Sequence, residues 1–308
     1  MSLEGKVAVV AGATRGCGRG IAIELGAAGA TVYCTGRSTQ GNPSDLERPE
    51  TIEETAELVT RAGGQGIAVR TDHTQEAEVK ALFGRVKEEQ DGQLDLLVND
   101  IWGGDPLLEW GKPFWELDPM RGWKLLERSV YSHILTARYA VPLMLERNLG
   151  LIIEVTDGDN LNYRGNFFYD LAKTTVIRLG FAMSEEFKSN RYAFEGSTLV
   201  KSSAGAKNIT ALALTPGFLR SEAMLDHFGV TEANWRDAIA KDPYYAESET
   251  PRYIGRAVVA LASDSKVGEK AGKALATWHL AREYGFKDVD GRQPHWQEFF
   301  ERMQAKKS

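Results

Sequence analysis

The segment from Val7 to Gly18 constrains this chain more than any other. Val7-Ala8-Val9-Val10 is an unbroken apolar run, the pattern of a strand buried on both faces of a parallel sheet. It leads into Gly12-Ala13-Thr14-Arg15-Gly16-Cys17-Gly18, and then into the stretch from Gly20 to Ala28, which has helical apolar spacing. Glycines between a buried strand and a helix permit a tight turn and close approach of the backbone to a pyrophosphate. The free N–H groups and partial positive charge of the helix N-terminus favour such an anion. In this strand–loop–helix context the glycines point to a dinucleotide.

The rest of the chain continues the alternation. Strands are expected from Ala30 to Thr35, Gly66 to Arg70, Leu94 to Val98, Leu151 to Val155 and Thr210 to Leu214. Helices are expected from Thr51 to Ala62, Glu76 to Glu89, Trp123 to Glu146, and in the segment that starts at Tyr169. Such alternation implies βαβ units with right-handed crossovers. The fold expected is α/β: a Rossmann-type doubly wound parallel sheet in three layers, α/β/α. Nothing marks a linker before residue 260, so a single domain over 1–308 is expected. Loop insertions fall at about 41–50, 102–123 and 191–207, with a C-terminal extension at about 265–308. The first insertion is polar and contains two prolines, the second is rich in Trp and Pro, and the third is polar and expected to be mobile.

Composition excludes several classes of function. The net charge is −6, which argues against a nucleic-acid or anionic-membrane surface. The two cysteines, Cys17 and Cys34, fit a reducing compartment without structural disulfides. The N-terminus has no signal-like apolar core. No apolar run approaches the ~20 residues of a membrane span. The cytoplasm is therefore the expected location. The five histidines are scattered without metal-ligand spacing, so no metal is expected.

Tyr169 and Lys173 lie four residues apart on an expected helix, which places them on one face. A phenol alone is a poor acid, and a cation held close to it favours the phenolate. Such a pair can move a proton near neutral pH. The spacing Gly-x-x-x-Gly-x-Gly followed by Tyr-x-x-x-Lys resembles the short-chain dehydrogenase/reductase family, over roughly Gly5 to Ser221. The run from Leu280 to Gly291 is similar to the tail of one branch of that family.

The resemblance implies a set of roles. Tyr169 would be the proton donor or acceptor, and Lys173 would hold the nicotinamide ribose and lower the Tyr169 pKa. Gly12, Thr14, Arg15, Gly16, Cys17 and Gly18 would form the phosphate loop. Asp72 matches the acid at the adenine edge, and Asn99 the first Asn of the family's Asn-Asn-Ala-Gly. Pro216, Gly217 and Ser221 match the residues at the nicotinamide end. A homodimer or homotetramer is implied by analogy. The family's Ser aligns with either Thr156 or Asp157, and its relay Asn with Ser129. Asp100 and Trp102 depart from the family pattern as well.

The phosphate choice can be argued physically. A carboxylate at the end of the second strand would bind a ribose 2′-hydroxyl and repel a 2′-phosphate. That site reads Thr35-Gly36-Arg37, with Arg15 in the glycine loop beside it. Two guanidiniums favour NADP(H) over NAD, the alternative being that Arg37 is a solvated loop residue. Cys17, at a helix N-terminus, either has a lowered pKa or fills an apolar slot. Trp102, Trp110, Phe114, Trp115, Phe167, Phe168 and Phe218 form either an apolar substrate pocket or, in part, core. The chemistry expected is hydride transfer between nicotinamide and a carbonyl or alcohol of an apolar small molecule. The alternative is an NADP-binding sensor or interaction module with a degenerate site. A Thr156 hydroxyl in the site would keep the activity, whereas an ionised Asp157 there would not.

Overall fold

The computed structural model describes residues 1–43, 46–188, 192–195, 198–201 and 208–306. The strands are β1 (Val7–Ala11), β2 (Thr31–Gly36), β3 (Gln65–Arg70), β4 (Leu96–Asn99), β5 (Gly150–Val155), β6 (Tyr192–Glu195), β7 (Thr198–Lys201), β8 (Ile209–Thr215) and β9 (Ala274–Ala276). Seven of them form one sheet in the order β3-β2-β1-β4-β5-β8-β9, and every pairing is parallel.

Helices α1 (Gly16–Ala27), α2 (Ile52–Ala62), α3 (Glu76–Glu89), α4 (Pro119–Leu126), α5 (Ser132–Arg147) and α6 (Phe167–Phe187) occupy the first two-thirds of the chain. They are followed by α7 (Glu222–Phe228), α8 (Pro251–Ser263), α9 (Thr277–Tyr284) and α10 (Trp296–Ala305).

The continuous apolar runs are explained by what each strand face meets. Along β1, Ala8 and Val10 pack with α1, α2 and α8, whereas Val7 and Val9 pack with α3 and α5. On β5, Leu151, Ile153 and Val155 join the first core and Ile152 the second. Side chains alternate across a strand, so a strand with helices on both faces needs apolar residues at every position. The result is the three-layer, doubly wound architecture.

Three features differ from the sequence reading. The helix expected from Trp123 begins earlier, at Pro119, where the Asp118 side chain accepts from the Met120 and Arg121 N–H groups. It is then interrupted by a π-helical turn, Glu127–Tyr131. The 191–207 segment, expected as a loop, contains the antiparallel pair β6–β7, and its remaining residues lie outside the described ones. The C-terminal segment supplies β9, which pairs with β8, so residues 274–276 are part of the sheet rather than an extension of it.

Just beneath the C-terminal ends of the strands, His73 is buried between β2 and α5. Its Nδ1 and Nε2 each lie 2.8 Å from a hydroxyl, those of Thr136 and Thr35. The Thr136 hydroxyl hydrogen goes to the Ser132 carbonyl. Nδ1 therefore donates to Thr136, while the Thr35 hydroxyl has both the Val10 carbonyl at 3.2 Å and Nε2 within reach, and in a neutral ring it donates to Nε2. Burial pushes the ring pKa down from 6.5 to about 3.

Between those two values the unfolded chain binds a proton that the native ring refuses. Stability therefore falls as pH drops through this window. The loss by pH about 4 is roughly 3 kcal/mol. His73→Gln is expected to flatten the acid limb of a melting-temperature profile, and an unchanged limb would rule His73 out as its cause.

Candidate active site

Strand β1 is flanked by β2 on one side and β4 on the other, so the chain changes direction there. In an open α/β sheet the crevice beyond the strand ends at such a point is the place where ligands bind. A cleft of about 660 Å³ opens there. Its walls include Gly12, Thr14, Arg15, Gly16, Cys17, Arg37 and Asp72 at one end. Thr156, Asp157, Tyr169, Lys173, Pro216, Gly217 and Ser221 line the other.

The glycine loop is fitted to close approach. A Cβ on Gly12 would sit 2.3 Å from the Asp100 carbonyl oxygen, and Gly12 has φ +92°. Gly16, at φ +57°, has nothing nearer than 4.0 Å to where its Cβ would lie. Helix α1 has no acid in its first turn and no side-chain cap, so its N–H groups need other acceptors. The Gly18 N–H donates to Asp100 Oδ2 at 2.5 Å, and the Gly16 N–H donates to Glu222 Oε2 at 2.9 Å. A carboxylate thus already sits where the helix N-terminus would meet a phosphate. The cradle, its open side and this anion position fit a dinucleotide pyrophosphate.

Tyr169 and Lys173 owe their placement to the start of α6. The buried Asn166 side chain accepts from the Phe168 and Tyr169 N–H groups, fixing Tyr169 in the first turn. Asn166 also donates to the Glu109 carbonyl, tying this helix end to the Trp-rich insertion. Lys173 Nζ stands 4.3 Å from the centre of the Trp102 ring and 5.6 Å from that of Tyr169, a cation–π geometry.

Thr156 and Asp157 point to different partners. The Thr156 hydroxyl turns away and donates to the Lys173 carbonyl at 2.8 Å. Asp157 faces the phenol, and the Tyr169 hydroxyl donates to its Oδ2 at 2.8 Å. The expectation that Lys173 lowers the Tyr169 pKa is overturned. Burial first, and the Asp157 carboxylate second, push the phenol well above its ordinary value.

Other expected residues lie elsewhere or carry a different character. Ser129 is buried in the π-helical turn and donates to the Leu125 carbonyl. Asn99 is buried beneath the cleft. Its amide donates to Glu154 Oε1 at 2.7 Å, and its Oδ1 has no partner among the described residues. Neither Ser129 nor Asn99 lines the cleft. Cys17 belongs to the apolar core, and burial raises its thiol pKa well above the usual value, against the effect expected of a helix N-terminus. Asp72 accepts from both the N–H and the hydroxyl of Thr74. Against burial, these bonds together with Arg37 and Arg70 hold its carboxyl below the usual range. Ser221 caps α7, and the Gly217 N–H donates to Glu249 Oε2 at 2.9 Å. No group of described His, Cys, Asp or Glu residues is placed to hold a metal.

The aromatic residues divide. Trp102 and Phe218 line the cleft, and Trp110 lies 5.6 Å from the Tyr169 ring. Phe114, Trp115 and Phe167 form an exposed cluster outside it. Sequence reasoning missed Trp278 and Trp296, cleft residues from the C-terminal segment, because their helices follow the matched motifs. It passed over Glu222, although this residue directly follows the motif residue Ser221. It noted Asp100 only as a departure. Burial raises that carboxyl to about 7, against the opposing pull of Lys173 and the Gly18 N–H.

Known proteins match this arrangement. Residues 6–193 match the family model of short chain dehydrogenases. The chain is 34% identical over 295 residues to dehydrogenase/reductase SDR family member 1 of Mus musculus, covering 94% of this chain and 85% of that protein. It is 28% identical over 228 residues to the 7alpha-hydroxysteroid dehydrogenase of Escherichia coli strain K12, covering 73% and 75%. A solved short chain dehydrogenase of Mycobacterium thermoresistibile superposes with TM-score 0.74 at 21% identity over 96% of this chain and 92% of that one. No described helix is long and apolar enough to cross a membrane. With this fold, this cleft and these relatives, the chain belongs to the short-chain dehydrogenase/reductase family of oxidoreductases.

Proposed function

We propose that this chain is an NADP(H)-dependent carbonyl reductase in which Tyr169 delivers the proton. One observation carries the reading. The Tyr169 hydroxyl and the Lys173 ammonium gather at one end of a cleft whose other end holds Arg15 and Arg37.

A bound nicotinamide would supply the hydride. Tyr169 donates its hydroxyl proton to the substrate oxygen as the carbonyl becomes an alcohol. Lys173 offsets the negative charge left on the phenol. Arg15 and Arg37 favour a 2′-phosphate by charge and by their donor geometry. Trp102, Phe218, Trp278 and Trp296 give the substrate end an apolar wall, suited to a fused-ring or aromatic carbonyl. One relative named above is a hydroxysteroid dehydrogenase, which agrees with a substrate of that kind.

Asp157 gives this site its own character. By accepting a hydrogen bond from the phenol it keeps the proton on Tyr169, the form that reduction of a carbonyl requires. Oxidation of an alcohol needs the phenolate, and so is confined to high pH. With Thr156 turned away and Asp157 on the phenol, the arrangement expected to oppose turnover is the one present, which favours a second reading, an NADP-binding sensor with weak turnover. There the carboxylate opposes the developing alkoxide.

Three measurements test the cofactor assignment and separate these readings. NADPH should raise the melting temperature more than NADH does, and equal shifts would remove the cofactor assignment. In a panel of apolar carbonyl compounds followed by NADPH absorbance, Tyr169→Phe should lower turnover about 100-fold or more with NADPH affinity retained. Retained turnover would refute its role. Asp157→Ser should move the pH midpoint of alcohol oxidation down, because a carboxylate neighbour raises a phenol pKa and its removal releases it. A wild type without turnover that gains it on Asp157→Ser would establish the sensor reading instead.

A further inference from the structure

The end of β2 carries no acid in the sequence, but the fold brings one there. The Ile52 N–H donates to the Ser38 carbonyl at 3.1 Å, so the 41–50 insertion rejoins the chain against the tip of β2. Glu50 is buried at that junction. Its Oε2 accepts from Arg15 Nε at 3.2 Å and from Arg48 Nε at 3.1 Å, and its Oε1 accepts from Arg48 Nη2 at 2.8 Å. Arg48 thus grips Glu50 in the two-bond fork that a guanidinium offers a carboxylate. Against the cost of burial, that grip holds the carboxyl below its usual pKa.

Arg48 reaches further. Its Nη2 also donates to Asp226 Oδ2 at 2.8 Å. Asp226 lies one helical turn from Glu222, so α7 presents two carboxylates on one face. One engages the Gly16 N–H and the other engages Arg48. Arg15 and Ser38 line the cleft, whereas Arg48 and Glu50 stand behind them.

A carboxylate at the end of the second strand selects a free ribose 2′-hydroxyl and repels a 2′-phosphate. Glu50 lies behind that position, in contact with Arg15, so its charge rather than a direct bond would act on a 2′-phosphate. We propose that Arg48 determines cofactor choice by neutralising Glu50, which would otherwise add a negative charge beside Arg15 where a 2′-phosphate is expected. The Asp226 side chain is 67% exposed, so its charge is screened by solvent and salt. Arg48 is a positioning residue, because it acts through Glu50 and Arg15. The inference rests on the NADP(H) reading given above and names the residue that produces it.

Titration calorimetry of NADP⁺ and NAD⁺ on the full chain tests it without turnover. The wild type is expected to bind NADP⁺ more tightly. R48Q leaves Glu50 without its fork partner, and should weaken NADP⁺ about tenfold or more while NAD⁺ changes by less than about threefold. R48K keeps the charge without the fork and should fall between the two. D226N cuts only the contact to α7 and should leave the preference unchanged.

R48Q that weakens both nucleotides equally, or D226N that alters the preference, overturns the proposal. Should R48Q fail to fold, R48K with the full wild-type preference overturns it. A wild type with no preference for NADP⁺ overturns the NADP(H) reading itself, whereas a wild-type preference retained in R48Q removes only the role of Arg48.

Discussion

The cleft depends on how closely the first glycine loop lies against the end of β4. The Asp100 N–H donates to the Ala11 carbonyl, its carboxylate takes the Gly18 N–H, and its carbonyl leaves no room for a Cβ on Gly12. These contacts fix the N-terminus of α1 directly beyond the strand ends, at the point where the sheet order turns back. A bulkier residue in that loop would lift the helix end away from the crevice and remove its N–H groups from reach of an anion. The two cores on either side of the sheet, each fed by alternate residues of β1 and β5, pack beneath this crevice.

Three acids give the crevice its individual chemistry. Asp157 accepts the hydrogen bond of the Tyr169 hydroxyl, Glu222 occupies the Gly16 N–H, and Glu50 lies behind Arg15 between two guanidiniums. Each sits beside a group that the proposed reaction would use: the proton donor, the phosphate cradle and the ribose corner. Each is also held by a named donor, so its effect is tied to a specific contact rather than to the net charge of −6. A carboxylate beside a phenol raises the phenol pKa, and a carboxylate on a helix N-terminus competes with an incoming phosphate. The site is therefore tuned by acids in places where a bare motif match would lead one to expect only hydroxyls and amides.

Much of this was legible in the chain. Continuous apolar runs announced buried parallel strands, because only a strand covered on both faces needs them. The glycine spacing placed the first turn, and the helical spacing of Tyr169 and Lys173 placed them on one wall of one cleft. What remained illegible has physical causes. Strand β5 ends at Val155, so the alternation that would have assigned faces to Thr156 and Asp157 stops just before them. Strand β9 has only three residues, too few to show a period. Glu50 meets Arg15 across 35 residues of chain, and Arg48 meets Asp226 across 178. Pairings of that kind have no local signature and follow only from the fold. The lysine beside Tyr169 was visible in the sequence, but the burial and the carboxylate that raise the phenol were not assignable there.

The central claim is that burial and the Asp157 carboxylate together hold the proton on Tyr169. An ultraviolet difference titration of the wild type against Tyr169→Phe, without cofactor, isolates the ionisation of this one phenol. The account predicts that its tyrosinate band appears only above the ordinary phenol range near ~10. A band appearing at or below that range would contradict it, and would place Tyr169 under the control of Lys173 instead.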